Sequence, residues 1–160
     1  MPVSVLSRGA RRGLVKKRPV RHIISVVSRE EGVDPLGELN VLLTTDEEIQ
    51  DLNCRFLGID TATDVIAFGH DDPEGGETFR FAVPDDAPGI IGDVVISVET
   101  AVRQAEENGL SLEQELALLT VHGVLHLVGY EDTAPAEKRK MRRRQREIML
   151  MVYPDLEGRL

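Results

Sequence analysis

Two histidines and an aspartate toward the C-terminal end of the chain have the types and the spacing of metal ligands. His126 follows His122 by four residues, Gly129 comes three residues later, and Asp132 three after that. A spacing of four in a helix puts both imidazoles on one face. A glycine beyond them allows a left-handed turn that returns the chain across that face. Asp132 then supplies a third ligand, and three protein ligands with open positions for water and substrate are the layout of a catalytic zinc site.

The histidine pair alone is a weak signal, because two histidines at the surface or at the edge of the core can share this spacing. The glycine and the acid favour the metal. Glu131 competes with Asp132 as the third ligand, but Asp132 occupies the third-ligand position of the metzincin spacing H-E-x-x-H-x-x-G-x-x-H. We therefore predict one divalent ion at His122, His126 and Asp132. Zn²⁺ suits this ligand set first, with Ni, Fe and Mn as alternatives.

The residue after the first histidine decides between two kinds of hydrolase. A metzincin has a glutamate there, which acts as the general base in peptide hydrolysis. Gly123 stands at that position in this chain and cannot transfer a proton. A zinc protease is therefore the less favoured interpretation. A metal site without a protein base suits phosphodiester cleavage better, because the metal can polarise a phosphate and acidify water.

Charge is divided unevenly along the chain, whose net charge is −9 with 28 acidic and 19 basic side chains. Fourteen of the bases lie in segments 1–22 and 138–146, and neither segment contains an acid. The two basic segments can be ordinary solvent-exposed helix faces. The more specific interpretation is that they form a pair of phosphate-binding patches. The candidates for RNA binding are Arg142, Arg143 and Arg146. Since successive helical residues point about 100° apart, we expect only a subset of the three to face RNA.

Length and composition exclude several classes of protein. A chain of 160 residues with 41% hydrophobic and 29% charged residues predicts one globular domain over 1–160. Its single cysteine, Cys54, predicts no intrachain disulfide, no cysteine-rich zinc site and no disulfide-linked partner. The longest apolar runs are far shorter than the roughly 20 residues of a membrane span. The N-terminus lacks the apolar core of a secretory signal, so we expect a cytoplasmic protein without a membrane partner.

The elements that would position the histidines form an α+β domain in the order β-α-β-α-β-β-α-α-α. The pattern predicts a small mixed sheet of about four strands, about five packed helices and a zincin-like metal helix. Capping boxes at Thr45 with Glu48 and at Ser111 with Gln114 predict two helix starts. Gly92 inside a strand predicts a bulge or a close backbone approach. Predicted helices cover 19–31, 46–55, 99–108, 112–127 and 135–152; predicted strands cover 2–7, 38–43, 63–68 and 90–98; and 69–89, with His70, form a loop or weak hairpin.

Three segments resemble the motifs of one family. Residues 120–132 read T-V-H-G-V-L-H-L-V-G-Y-E-D and resemble H-G-x-L-H-L-x-G-Y-D-H, the signature of the YbeY family of bacterial endoribonucleases. Residues 52–68 read L-N-C-R-F-L-G-I-D-T-A-T-D-V-I-A-F and resemble L-N-x-x-Y-R-G-x-D-x-P-T-D-V-L-S-F. Residues 92–97 read G-D-V-V-I-S and resemble G-D-I-V-I-S. The resemblance covers about 38–152, and residues 1–37 carry none of these motifs.

The resemblance implies an α+β fold, a metal usually taken as zinc, and single-strand-specific endoribonuclease action in rRNA processing. It extends to late maturation of the 16S rRNA 3′ end and to ribosome quality control, with ribosomal RNA and ribosomal particles as partners. His122 and His126 match the first two metal ligands. Asp132 stands where most members have a third histidine, and a branch of the family carries an acid there.

One departure from the motifs leaves an alternative open. Leu57 stands where many members have an arginine that is usually considered functional in the cleft. Arg55 cannot simply replace it, because a helical residue two positions earlier points about 200° away. A ribosome-assembly or RNA-binding factor with a mainly structural metal is therefore the alternative to a nuclease.

Overall fold

The computed structural model describes residues 3–9, 13, 15–33, 37–69 and 90–160. Its element order confirms the predicted α+β class, with four strands and five α-helices in the described residues. The predicted loop or hairpin with His70 falls mostly on 70–89, outside these residues. The strands are β1 (Val3–Ser7), β2 (Glu38–Thr44), β3 (Val65–Gly69) and β4 (Ile90–Ser97); the helices are α1 (Lys17–Glu30), α2 (Asp46–Leu57), α3 (Val98–Asn108), α4 (Leu112–Leu127) and α5 (Pro135–Val152), followed by a 3₁₀ turn at Pro154–Leu156.

The sheet is mixed, as predicted, with the strand order β1-β2-β4-β3. Strands β1, β2 and β4 run parallel, and β3 runs antiparallel to β4. The register between β2 and β4 shifts just before Gly92, which confirms the predicted irregularity. A Cβ at Gly92 would lie 2.6 Å from the side chain of Leu127 and 2.7 Å from the carbonyl oxygen of Phe68. The glycine therefore lets the end of α4 approach β4 closely.

Successive side chains of the central strands point to opposite faces of the sheet, so the hydrophobic core has two parts, one on each face. On one face, Val41 and Val94 pack with the apolar stripes of α1 and α4. On the other face, Leu42 and Val95 pack against α2. Helix α5 adds its buried residues to the first face, so α4 is enclosed between the sheet and its neighbouring helices. Within the described residues no helix combines the length and apolar character that a bilayer crossing requires.

The two predicted capping boxes differ in the structure. At α4, the Ser111 hydroxyl accepts from the backbone of Gln114 at 3.1 Å, and the Gln114 side chain accepts from the backbone of Ser111 at 3.0 Å. At α2, Thr45 accepts from the backbone of Glu48, but the carboxylate of Glu48 accepts from the Thr44 hydroxyl and from Arg8. At α2 the Glu48 side chain therefore bonds Arg8 and Thr44 in place of the Thr45 backbone N–H that a capping box would use.

Candidate metal centre

The last turns of α4 carry His122 and His126 on one face of the helix. Their ring centroids are 4.6 Å apart, and both side chains are partly exposed. Gly123 lies against the sheet, where a Cβ would be 2.6 Å from one methyl group of Val94 and 3.1 Å from the other. A glutamate at 123 would collide with β4, so the structure explains why the protease base is missing.

The predicted left-handed turn follows α4 at Gly129, whose φ is +107°. The backbone N–H of Gly129 donates to the carbonyl of His126, and that of Tyr130 donates to Leu125 at 3.0 Å. The chain then folds back toward the histidines. Asp132 Oδ2 lies 3.7 Å from His122 Nε2 and 3.5 Å from His126 Nε2.

The three side chains have the geometry that a small divalent ion requires. The two Nε2 atoms are 3.0 Å apart, and atoms with these three separations lie about 2 Å from a common centre, as zinc ligands do. Asp132 is 46% exposed, so the cluster is open to solvent on that side. In the described part of the chain this is the one group of three such ligands, and Glu131 is not a member. The structure thus brings the predicted residues together, and their binding of a metal stays a prediction.

Gln145 of α5 orients the first histidine. Its Oε1 lies 2.6 Å from His122 Nδ1. An amide oxygen can only accept a hydrogen bond, so the His122 proton lies on Nδ1 and the lone pair on Nε2 faces the other two ligands. Sequence reasoning missed this residue, because its contact with His122 depends on how α5 packs over α4, and no local spacing signals it.

The basic segment of α5 divides into two groups. Arg144 is partly buried and paired with Glu31 and Glu147. A second group forms one exposed face at spacings of three and four, without a carboxylate partner among the described residues. We call this group the arginine stripe; its members are Arg139, Arg142, Arg143 and Arg146. Around the axis of α5, the four arginines span about 100°, and the edge of the stripe lies about 60° from the direction of Gln145. The three predicted residues therefore share an exposed face with Arg139, and which of the four face RNA stays a prediction.

The position of the family arginine carries no cation. Leu57 ends α2 and is 51% exposed. Arg55 pairs with Asp51 at 3.5 Å and lies over the ring of Phe56. It therefore does not take the place of the missing guanidinium, as the helical spacing predicts.

A buried carboxyl group lies earlier on α4. Glu115 is almost fully buried, and its Oε2 has no hydrogen-bond partner within the described residues. Burial raises the pKa of Glu115, and the charge of Asp64 raises it further, against a hydrogen bond from Asn108. Asp64 itself accepts from the backbone of Val65 and from Gln104, so its contacts are structural.

Fold and site together define a small α+β protein with an open cluster of three potential metal ligands at the end of its central helix. The family model described as Endoribonuclease YbeY matches residues 14–152. The chain therefore belongs to the YbeY family of endoribonucleases, the hydrolases that cut within an RNA chain, and the resemblance of its motifs is confirmed. The match begins at residue 14, so it includes α1, which carries none of those motifs.

Relatives along most of the chain agree with this assignment. The chain is 41% identical over 130 residues to an endoribonuclease YbeY of Exiguobacterium sp., covering 81% of this chain and 82% of that one. It is 46% identical over 116 residues to the one of Chloroflexus aurantiacus, covering 72% and 73%. The solution structure of TM1509 from Thermotoga maritima is similar in fold, with a TM-score of 0.60 at 24% identity over 98% of this chain and 92% of that one.

Proposed function

We propose that this protein is a metal-dependent endoribonuclease, specific for single strands, that processes ribosomal RNA in the cytoplasm. Its substrates on this proposal are ribosomal RNA and ribosomal particles. Its tasks are late maturation of the 16S rRNA 3′ end and ribosome quality control. The observation that carries the proposal is the solvent-open cluster of His122, His126 and Asp132 on the helix that packs against the arginine-rich α5.

Each group near the cluster has a defined task on this proposal. His122, His126 and Asp132 hold one divalent ion, Zn²⁺ first and Ni, Fe or Mn as alternatives. Such an ion supplies Lewis-acid polarisation of a phosphate oxygen and lowers the pKa of water. Gln145 keeps the His122 lone pair directed at the cluster. The arginine stripe binds neighbouring phosphates of the RNA backbone and so draws the strand across this side of α5.

The surroundings of Gly123 favour RNA over peptide as the substrate. The position faces β4 and has no room for a side chain, so α4 offers no carboxylate base beside the first histidine. Amide hydrolysis on such a helix depends on that base. Phosphodiester cleavage depends more on polarising the phosphate and neutralising its charge.

Leu57 favours a second candidate, a ribosome-assembly or RNA-binding factor with a mainly structural metal. A cation aimed at the transition state is worth about a hundredfold or more in rate, and this chain lacks the family arginine there. If the chain is a nuclease of reduced rate, Leu57→Arg should raise RNA cleavage by about tenfold. Single-turnover cleavage of a labelled oligoribonucleotide measures this. An unchanged rate together with unchanged RNA binding would favour the assembly factor.

The proposal is tested on a single-stranded oligoribonucleotide with protein purified without a histidine tag. Chelation should abolish cleavage, and one divalent ion added back should restore it; metal analysis of the purified protein identifies the ion. The double variant His122→Ala/His126→Ala should lose at least about 99% of the rate. His22→Ala is the matched control, because His22 is exposed on α1. If the folded double variant cleaves as fast as the parent, the nuclease is a contaminant and the proposal is wrong.

A further inference from the structure

The third ligand is held differently from the first two. His122 and His126 stand on a regular helix, whereas Asp132 lies in the segment 128–134 that connects α4 to α5. Among the described residues, the Ala134 cap of α5 makes no side-chain hydrogen bond, and the Thr133 hydroxyl donates to Glu137 at 3.1 Å on the same helix. The position of the Asp132 carboxylate therefore depends on whatever fixes the first half of this segment.

Backbone hydrogen bonds from Gly129 and Tyr130 to the end of α4 hold the start of this half, and it is tied to α1 by the side chain of Tyr130. Its hydroxyl donates to the carboxylate of Glu31, whose two oxygens both lie at 3.3 Å. The ammonium of Lys140 lies 5.5 Å from the centre of the tyrosine ring. A residue two positions before the ligand is thus tied to the end of α1, 99 positions earlier in the chain.

Arg144 of α5 holds Glu31 in turn. Its Nε lies 2.5 Å from Glu31 Oε1, and its Nη2 donates to the carbonyl of Glu30 at 3.0 Å. The side chains of Arg144 and Glu31 are only 21% and 11% exposed. Because Arg144 bonds two consecutive residues at the end of α1 through different nitrogens, it fixes the orientation of that helix end as well as its distance.

Two consecutive residues of α5 are therefore linked to the cluster, one to the segment that carries Asp132 and the other to His122. Arg144 reaches the Asp132 segment through Glu31 and Tyr130, and Gln145 bonds directly to His122. The arginine is poorly placed to act on RNA, because each of its three nitrogens already donates to Glu30, Glu31 or Glu147 and its side chain is mostly buried. Its contacts lie on the side of α5 opposite the arginine stripe.

We propose that Tyr130, Glu31 and Arg144, here named the tyrosine clamp, are positioning residues that set the affinity of the cluster for its metal by holding Asp132 in place. The inference rests on the proposed function only in taking His122, His126 and Asp132 as the metal ligands. Groups outside the ligand set commonly change metal affinity by about 10–100-fold.

The test measures Co²⁺ affinity of the full chain, followed by absorption of the bound ion. Tyr130→Phe removes only the hydroxyl and should raise the Kd for Co²⁺ by about tenfold. Tyr153→Phe is the matched control. Tyr153 is the only other tyrosine, is also partly buried, and has no hydrogen-bond partner for its hydroxyl in the described part of the chain. It should leave the Kd within about twofold. Equal affinity of the two variants would overturn the proposal.

A double-variant cycle separates positioning from a general effect on the fold. In an Asp132→Ala background, Tyr130→Phe should cause no further loss of Co²⁺ affinity, because the residue through which it acts is gone. An equal loss in both backgrounds would show that the tyrosine acts elsewhere and overturn the clamp. Glu31→Gln should reproduce the effect of Tyr130→Phe in a milder form. A parent that binds Co²⁺ but cuts no RNA would contradict the nuclease and leave the clamp standing.

Discussion

At the scale of single residues, Asp132 has a task that its neighbour Glu131 cannot take over. Two consecutive residues in an extended segment point in different directions, and only Asp132 brings an oxygen within 3.7 Å of both histidines. The longer side chain of Glu131 is exposed and outside the cluster. The identity of the acid is therefore decided by the turn at Gly129, which sets where each later residue points.

Replacing each acid in turn shows which of the two is the third metal ligand. Asp132→Ala should weaken Zn²⁺ or Co²⁺ binding by at least about tenfold, because it removes one of three ligands. Glu131→Ala should leave the affinity within about twofold. Competition against a chromophoric chelator measures both. The reverse order of the two variants would assign the third ligand to Glu131.

Gln145 gives a second prediction at this scale. Gln145→Leu removes the acceptor at His122 Nδ1 and should weaken metal binding by about tenfold. Gln145→Glu keeps an acceptor there and should retain the parental affinity or exceed it. Gln50→Leu is the control, since Gln50 bonds Asp60 on the surface of α2. If Gln145→Leu and Gln50→Leu bind Co²⁺ equally well, the contact with His122 has no orienting role.

At the scale of the elements, local sequence signals were sufficient wherever a residue acts on its own helix or turn. The box at Ser111, the turn at Gly129 and the pairing of the two histidines all depend on spacings within one segment. Contacts between different helices and strands are not signalled by any local spacing in the sequence. Gln145 contacts His122 only because α5 packs over α4. The carboxylate of Glu48 accepts from Arg8, which follows β1, and not from the backbone of Thr45 as the capping box predicts. The YbeY motifs supplied the family but carry no signal for these contacts.

The buried carboxyl of Glu115 predicts how α4 responds to pH. Burial raises the pKa of Glu115 above that of a glutamate in the unfolded chain. The folded protein therefore keeps this proton to higher pH than the unfolded protein does, and the contribution of Glu115 to stability falls as pH rises above about 4. Glu115→Gln should raise Tm at pH 7 by roughly 2–4 °C, the shift that about 1 kcal/mol gives at this size.

The gain from Glu115→Gln should disappear at about pH 3, where Glu115 is protonated in both the folded and the unfolded state of the parent. Glu113→Gln is the matched control, because Glu113 is exposed on the same turn of α4. Thermal unfolding of the three proteins at several pH values measures the difference. A gain in Tm that is the same at every pH would mean that Glu115 does not titrate differently in the folded state.

At the scale of the whole molecule, a net charge of −9 would repel RNA unless the bases are concentrated. The described bases of α1 and of α5 lie in two separate places. Lys17, Arg18 and Arg21 are exposed in the first turns of α1, whereas Arg144 meets the last turn of that helix. About 15 Å of helix separates Arg21 from Glu31. Within the described residues the bases of segments 1–22 and 138–146 therefore do not merge into one patch, and the arginine stripe is the group that shares α5 with Gln145.

The salt dependence of RNA binding tests the arginine stripe. Each phosphate contact with a single strand contributes about 0.7 to the slope of log K against log salt concentration. Changing Arg139, Arg142, Arg143 and Arg146 to Gln should therefore weaken binding and lower the magnitude of that slope by up to about 3. The matched control changes Arg55 and Arg103 to Gln, since both already pair with aspartates. That variant should lose little affinity and keep the parental slope. Because removing any positive charge makes the net charge more negative, a general repulsion would change both variants in proportion to the charges removed. A slope that is unchanged in the stripe variant, or reduced equally per charge in the two variants, would make the stripe an ordinary solvated face of α5.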